Sequence, residues 1–459
     1  MRTPDFKHLD FPYQYARECW GRLQQERALM PCRQHDLGQM QKHQTRQLAK
    51  LLVHAYKSCP HYTRTFDQIG IRQGDEFSLT DLRSIPILSR RVVQEEFYDL
   101  CSDQVSLQHC YMKQTSGSTG QPIKIVLDYS INMLWDVLLL NYLHPYGVRP
   151  QHFRPLQTGI IFITAFPTST SFTYVSPFLN FSRFYKLSLH PERWEAPGAA
   201  LEFISIRKPL LITGMPEHLL SLMEMMQTAD PKALYPIQPK LLLASGNRLN
   251  PKDKQRLETH FGVPVVDIYA LTEFGYLACA CHTGAGYHVD DSLILEILRD
   301  DGSPASPGET GEIVVTSLRN FVMPLIRYRT GDFGRLASVP CRCGSQWPLL
   351  EAIEGRTSEF FVRPNGSIMN PFVFIKHLDK LPLKQYQVIQ SNLSEVLIKY
   401  VPANDTPSLT DLITSPIKRE LGSNVSIQAE AVSQIGEPGK KVQNFISLVS
   451  NPAATELLC

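Results

Sequence analysis

Between residues 123 and 269 short apolar runs alternate with helix-like segments, and no other feature of this chain narrows its fold so far. Ile123-Lys124-Ile125-Val126-Leu127 predicts a strand, and residues 131–143 are apolar enough for a buried helix. Gly159-Ile160-Ile161-Phe162-Ile163-Thr164 predicts another strand, and Leu210-Leu211-Ile212-Thr213 a further one that leads into a helix after Pro216. Leu241-Leu242-Leu243-Ala244-Ser245-Gly246 predicts a strand running into a glycine turn, followed by a polar helix over 251–260 and a strand over 263–269. Strands this apolar are what a sheet covered on both faces requires, so the alternation predicts an α/β fold. Ligands of such sheets sit beyond the carboxyl ends of the strands, where Ser245, Gly246 and Tyr269 would converge.

The flanking regions read differently. Residues 1–110 look mainly helical, with Leu48, Leu51, Leu52, Ala55 and Tyr56 at the spacing of one helix face. Ser78-Leu79-Thr80-Asp81-Leu82 reads as a capped short helix that Pro86 ends. Residues 308–335 are strand-rich, with Gly311-Glu312-Ile313-Val314-Val315-Thr316 the clearest run, and Gly355-Arg356 marks a boundary. Beyond it, strands at 385–390, 396–401 and 425–429 and a helix at 409–421 make a small α+β unit. The expectation is a large α/β domain over residues 1–355 and a small α+β domain over residues 356–459, in a chain long enough for more than one core.

Composition removes several function classes. The net charge of +2, with 20% charged residues, carries no basic excess for nucleic acid or a membrane surface. No apolar run approaches the roughly 20 residues that span a bilayer, and MRTPDFKHLD lacks the apolar core of a signal peptide. Ten cysteines without such a signal point to reduced thiols or metal ligands in a cytoplasmic protein. Cys19, Cys32, Cys59, Cys101 and Cys110 are scattered without ligand spacing and read as buried small side chains.

Several stretches can carry chemistry. In Gln114–Lys124, QTSGSTGQPIK, Thr115, Ser116, Ser118 and Thr119 interleave with Gly117 and Gly120, and Lys124 follows. Glycines let backbone approach a ligand, and successive N–H and hydroxyl groups can wrap an anion, with a lysine adding point charge. Tyr269-Ala270-Leu271-Thr272-Glu273 sets a hydroxyl and a carboxylate at a strand end, suited to a phosphate oxygen and a hard cation. Asp332, in Arg327-Tyr328-Arg329-Thr330-Gly331-Asp332, can accept hydrogen bonds from ribose hydroxyls, and Arg356 can reach the same ribose or a phosphate. Gly436-Glu437-Pro438-Gly439-Lys440-Lys441 places two ammonium groups on a loop. Each stretch taken singly is equally a polar surface turn.

In this order and spacing the motifs resemble the adenylate-forming enzymes, the acyl-CoA synthetase superfamily. TSGSTG is similar to the family's phosphate loop, YALTE to its YGxTE, RYRTGD to its Y-[RK]-TGD, and Gly355-Arg356 to its hinge motif. The branch most resembled is that of phenylacetate–CoA ligases, through the helical N-terminal segment, the PIK after the loop and LIRYRTGD. The resemblance implies that ATP and a carboxylic acid give an acyl-adenylate and pyrophosphate, after which CoA displaces AMP. An amine or a carrier protein as acceptor is the alternative. It further implies that Thr115, Ser116, Gly117, Ser118, Thr119, Gly120 and Lys124 hold the β- and γ-phosphates, that Thr272 binds the α-phosphate, and that Glu273 binds Mg2+. Ser245, Gly246 and Tyr269 would border adenine, Asp332 and Arg356 would take the ribose, and the C-terminal domain would swing after Arg356. The implied partners are an acid, ATP and CoA, with neither nucleic acid nor membrane, and a homodimer stays open.

Two departures from the family pattern matter beyond the mild Ala270 in place of glycine. The hinge carries Ser358 and Glu359 where the family has Asp or Lys two residues after the arginine. The terminal lysine motif keeps Lys441-Val442-Gln443-Asn444-Phe445-Ile446-Ser447 without the family's arginines. Counting back from Ile446-Ser447 favours Lys441 over Lys440 as the catalytic lysine. A separate set, Cys281, His288, Cys341 and Cys343, offers three sulfurs and one imidazole, the donors of a closed tetrahedral zinc site, with Cys279 and His282 as competitors. Several phenylacetate–CoA ligase-like proteins share this Cys…His plus CxCG pattern.

Overall fold

A computed structural model describes residues 7–8, 13–72, 79–107, 110–115, 122–166, 169–196, 198–229, 236–299, 301–356, 361–366, 368–369, 374–378, 380–403, 409–422, 424–436 and 444–449. Among them, thirteen strands form one sheet whose two halves obey different rules. In the first half Ser182–Ser188, Thr158–Thr164, Leu211–Gly214, Leu241–Ser245 and Val265–Leu271 lie side by side and parallel. Helices Ala199–Arg207, Pro216–Thr228 and Pro251–Phe261 make the crossovers. Leu201, Ile204, Leu219, Leu222 and Leu257 pack from these helices against Ile161, Ile163, Ile212 and Leu242 of the strands. Four of the apolar runs read from the sequence, at 159–164, 210–213, 241–246 and 263–269, are therefore buried strands of this half, displaced by a residue or two at their ends, whereas the run at 123–127 lies in a separate two-stranded sheet.

From Val265–Leu271 onward every neighbour is antiparallel: Gly275–Ala280, Tyr287–Val289, Leu349–Arg356, Tyr328–Leu336, Gly311–Ser317 and Leu293–Leu298. Val265–Leu271 is thus the switch strand: the strands from Ser182–Ser188 to Leu241–Ser245 run parallel to it on one side, with Phe172–Ser176 antiparallel to Ser182–Ser188 beyond them, and every pairing on the other side is antiparallel.

The N-terminal helices cover the antiparallel half. Helix Leu37–Ser58 begins at Asp36, whose side chain accepts from the Gln39 N–H. It buries Leu48, Leu51, Leu52 and Ala55 fully, and burying each leucine stabilises the fold by about 1.5–3 kcal/mol. These residues meet Leu277, Val315, Met323 and Ile326 of the sheet and its loops in one core. The preceding helix, Tyr13–Gln34, is anchored by Arg33, which donates to the buried Asp291 and to Glu26 at 2.7 Å. Cys59 and Cys101 are buried and Cys110 half-buried, while the side chains of Cys19 and Cys32 fall outside what is described.

The C-terminal region has its own sheet, ordered Ser426–Ala431, Glu395–Pro402, Leu383–Asn392 and Phe445–Ser447. Ile413, Ile417 and Leu421 of helix Thr410–Leu421 pack with Val388, Ile398, Phe361 and Phe445 in a separate core. Lys252 donates to Leu381 O at 2.6 Å, a contact between the two regions. No helix among the described residues is long and apolar enough to cross a membrane.

Candidate active site

The glycine loop from Ser116 to Gly120 lies outside the described residues, but both its posts are defined. Strands Cys110–Gln114 and Lys124–Asp128 form a hairpin with Gln114 opposite Lys124. Thr115 closes it: its N–H donates to Ile123 O at 3.0 Å, and its Oγ1 accepts from the Ile123 N–H at 3.0 Å. Lys124 is exposed at the loop's base.

The switch strand ends at Leu271, which places Thr272 and Glu273 at its carboxyl end. Glu273 is only 7% exposed. It accepts a hydrogen bond from the Tyr328 hydroxyl at 3.0 Å, and the Arg90 guanidinium stands 3.8 Å from the same oxygen. Burial, and then the Glu273 charge, push the Tyr328 hydroxyl well above the usual phenol range, so it keeps the proton it donates. Arg90 also donates to Thr115 Oγ1 at 3.0 Å, so one guanidinium joins the post of the glycine loop to Glu273.

Sequence reasoning missed Arg90 because no motif surrounds it. Ser89 caps the short helix Arg90–Glu95, accepting from the Val92 N–H at 3.3 Å. Leu88 is stitched to the neighbouring strand, donating to Arg327 O at 2.9 Å and accepting from the Arg329 N–H at 3.0 Å. This long-range stitch sets Arg90 beside the site. The paired Arg90-Arg91 after a capping serine was the one available signal.

The RYRTGD run divides its work. Arg327 points inward, donating to Glu296 at 2.9 Å and to Ile85 O at 2.6 Å, and Arg329 lies 2.8 Å from Glu312. Both arginines fasten the N-terminal segment and the sheet. Asp332 instead accepts from the Tyr269 hydroxyl at 2.7 Å, while Thr330 Oγ1 accepts from the Asp332 N–H at 3.1 Å. Asp332 also sits directly across the ladder from Arg356, so two predicted ribose residues are cross-strand partners in backbone register. On the other side of the switch strand Ser245 is in register with Ile268, next to Tyr269. Gly246 takes φ +87 against Met215, a conformation that suits glycine. The structure therefore gathers Thr115, Arg90, Glu273, Tyr269, Asp332, Ser245 and Gly246 around the end of the switch strand. Donors for a phosphate, an acceptor for hydroxyls and a carboxylate for a hard cation meet there. The loop residues Ser116, Gly117, Ser118, Thr119 and Gly120, the hinge residues Ser358 and Glu359, and both Lys440 and Lys441 lie outside the described residues, as does the side chain of Arg356.

The second predicted set is assembled on the antiparallel half. The ligand atoms of Cys281, His288, Cys341 and Cys343 all lie within 4.8 Å of one another. Cys281 and Cys341 sulfurs are 3.6 Å apart, and His288 Nε2 is 3.2 Å from the Cys343 sulfur. His288 Nδ1 donates to Trp347 O at 3.2 Å, which turns Nε2 toward the thiols. The Ser345 N–H donates to the Cys343 sulfur at 3.4 Å. Of the competitors, Cys279 is buried in a different core and His282 is exposed, and neither belongs to the group. Four soft donors at these separations match the chemistry of one tetrahedral cation.

Comparison with known proteins adds an independent line. The model of the family described as AMP-binding enzyme matches residues 87–324, more than half of the chain. The phenylacetate-coenzyme A ligase of Escherichia coli is 24% identical over 345 residues, covering 73% of this chain and 75% of that protein. The phenylacetate-coenzyme A ligase of Thermus thermophilus is 22% identical over 395 residues, covering 83% of each. Among solved structures, a 2-hydroxyisobutyryl-CoA ligase in its postadenylation state is similar with a TM-score of 0.72 at 16% identity, covering 93% of both chains. That last likeness is one of fold.

Proposed function

This chain belongs to the AMP-binding enzyme family, and from that premise we propose how it works as an AMP-forming acid–CoA ligase. A carboxylate oxygen attacks the α-phosphorus of ATP, the bond to pyrophosphate breaks, and an acyl-adenylate forms. The sulfur of CoA then attacks the acyl carbon, AMP leaves, and a thioester remains. The observation that carries this reading is the Thr115–Arg90–Glu273 linkage at the end of the switch strand.

The residues divide the task by chemistry. Thr115, Ser116, Gly117, Ser118, Thr119, Gly120 and Lys124 cradle the β- and γ-phosphates, with Arg90 adding a planar cation beside them. Thr272 meets the α-phosphate. Tyr269 holds Asp332 where it accepts from ribose hydroxyls, Arg356 adds a donor across the ladder, and Ser245 and Gly246 line the adenine edge. Glu273 offers the hard oxygen that Mg2+ takes, and the bound ion neutralises phosphate charge. Residues 356–459 turn after Arg356 between the half-reactions, carrying Lys441 to the α-phosphate for the first. The Cys281, His288, Cys341 and Cys343 set holds Zn2+ in a structural role, tying the strand Tyr287–Val289 to the loop at 341–344. The reading places the enzyme in the cytoplasm, acting on small molecules.

The test is acid-dependent pyrophosphate release from MgATP over a panel of carboxylic acids, with thioester formed only when CoA is added. Glu273→Gln is expected to slow release by roughly 10²-fold or more, because charge stabilisation at the phosphates is lost. Unchanged release in that variant would remove Glu273 from the mechanism. Arg90→Ala is expected to cost about tenfold in kcat/KM for ATP, the scale of one hydrogen bond to a charged group. A variant as efficient as the parent would show that the linkage is only a resting contact.

A further inference from the structure

A small cavity opens beside the Cys281, His288, Cys341 and Cys343 cluster, and its walls carry more than holding a cation requires. Its volume is about 80 Å³, against the roughly 300–1,000 Å³ of pockets for drug-sized ligands, so only a very small molecule fits. Exposed His35, His144 and His282 line it and open it to solvent. Neither Asp nor Glu is among its lining residues. Two of them instead carry buried donors: Trp347 Nε1 and Asn141 Nδ2 have no hydrogen-bond partner among the described residues. Such donors are costly to bury unless a bound molecule accepts from them.

The sulfurs of the cluster are not equivalent toward this cavity. Cys281 and Cys343 line it, whereas Cys341 does not. Cys281 Sγ stands 3.6 Å from Cys341 Sγ, and Thr283 Oγ1 lies 3.1 Å from the first and 3.7 Å from the second. Cys343 Sγ instead accepts from the Ser345 N–H at 3.4 Å and faces His288 Nε2 at 3.2 Å. Cys281 is therefore a wall sulfur paired with a second sulfur that the cavity does not touch. Thiolates, the form in which a metal holds cysteine, are also the nucleophilic form of its sulfur.

We propose that this cavity admits hydrogen peroxide, and that Cys281 and Cys341 are an oxidation-sensitive pair whose disulfide releases the zinc. The proposal rests on the zinc reading above for the metal, and on the sulfur geometry alone for the disulfide. Peroxide is small enough for the cavity, and its oxygens accept from Trp347 and Asn141. The Cys281 thiolate attacks one oxygen, the O–O bond breaks, hydroxide leaves and Cys281 becomes a sulfenic acid. The Cys341 thiolate then attacks the Cys281 sulfur, the S–O bond breaks and a second hydroxide leaves. The two thiolates have together lost two electrons, and one peroxide has gained them. Cys343 and His288 remain as donors, too few for a closed tetrahedral site, so Zn2+ departs. A thiol reductant reopens the disulfide by exchange, and the site can be refilled. One cluster thus has two states, tied by zinc when reduced and by a disulfide when oxidised.

The experiment adds hydrogen peroxide to zinc-loaded protein, follows freed Zn2+ with a coloured chelator and maps disulfides by peptide mass. About one zinc per chain is expected to leave, in step with a Cys281–Cys341 disulfide. Dithiothreitol with added Zn2+ should restore the starting protein. Cys341→Ser should stop at the first step, with the sulfenic acid on Cys281 trapped by dimedone. Asn141→Leu, which keeps bulk and removes a donor from the cavity, should slow release by about tenfold. Should that variant not fold, Trp347→Phe removes the other donor, with a slowing of about tenfold again expected. Zinc retained while a free-thiol control peptide oxidises fully, or a disulfide mapped to another pair, overturns the proposal. Release at the parent rate in a folded donor variant removes the cavity as the route of entry. If the purified parent holds no zinc, the metal reading fails: a Cys281–Cys341 disulfide formed by peroxide then still establishes the pair, and its absence removes both.

Discussion

Lys441→Ala is expected to slow acyl-adenylate formation by roughly 10²–10³-fold while leaving thioester formation from synthetic acyl-adenylate nearly intact. The proposed role explains the asymmetry. Negative charge builds on the α-phosphate and the attacking carboxylate only as they join, and an ammonium placed there acts on the transition state more than on bound ATP. The loss should therefore fall on kcat, with KM for ATP little changed. In the proposed mechanism the second half-reaction uses the turned domain, without Lys441 at the α-phosphate, so its rate has no reason to fall. Lys440→Ala is expected to be mild. Single-turnover assays of each half-reaction read both outcomes separately. A severe Lys440→Ala with a mild Lys441→Ala would move the role one residue. Two mild variants would remove the terminal lysines from catalysis.

Removing the proposed zinc should have the other large effect, on stability rather than chemistry. Protein purified without chelator is expected to hold about one zinc per chain, and Cys341→Ser/Cys343→Ser to hold almost none. The cluster joins two segments distant in sequence: Cys281 follows strand Gly275–Ala280, and Cys341 and Cys343 precede strand Leu349–Arg356. Strand Tyr287–Val289, bearing His288, is hydrogen-bonded between those two strands. Without the metal, three thiols and an imidazole are left in a half-dry pocket. Structural zinc sites contribute folding free energy directly, so a fall in melting temperature of about 10 °C is expected, with the same fall in parent protein stripped by a chelator. Equal metal content in parent and double variant would exclude the site. Glu273 precedes strand Gly275–Ala280 and Cys281 follows it, so the two sites lie at opposite ends of that strand and the folded variant should retain acid-dependent pyrophosphate release below its melting transition.

Much of this was legible in the residues. The strands at 159–164, 210–213 and 241–245 are buried on both faces, so they are written as unbroken apolar runs, and such runs announce themselves. Strands Gly275–Ala280 and Tyr287–Val289 were less visible, because Gly275, Tyr276 and Tyr287 are only partly buried and interrupt the pattern. Strand Phe172–Ser176 was not read from the sequence, because Thr173 and Ser176 interrupt its apolar pattern. In Arg327-Tyr328-Arg329-Thr330-Gly331-Asp332 the motif was plain but its division was not. Spacing does not say that Arg327 turns inward to Glu296 while Asp332 meets Tyr269.

The sequence by itself determined the layered α/β architecture and the order of the motifs along the chain, together with the donor types of a four-ligand metal cluster. Those follow from local information: apolar periodicity, glycine placement and side-chain chemistry. Only the tertiary structure decided that Val265–Leu271 separates a parallel half from an antiparallel one. It also decided that Arg90 reaches across from an N-terminal helix to both Thr115 and Glu273. It alone placed Trp135 against Gly275 and brought Asp136 to Ser176. Each of these contacts joins residues far apart in the chain. Their geometry is set by strand register and by packing against one shared core, which no window along a single sequence contains.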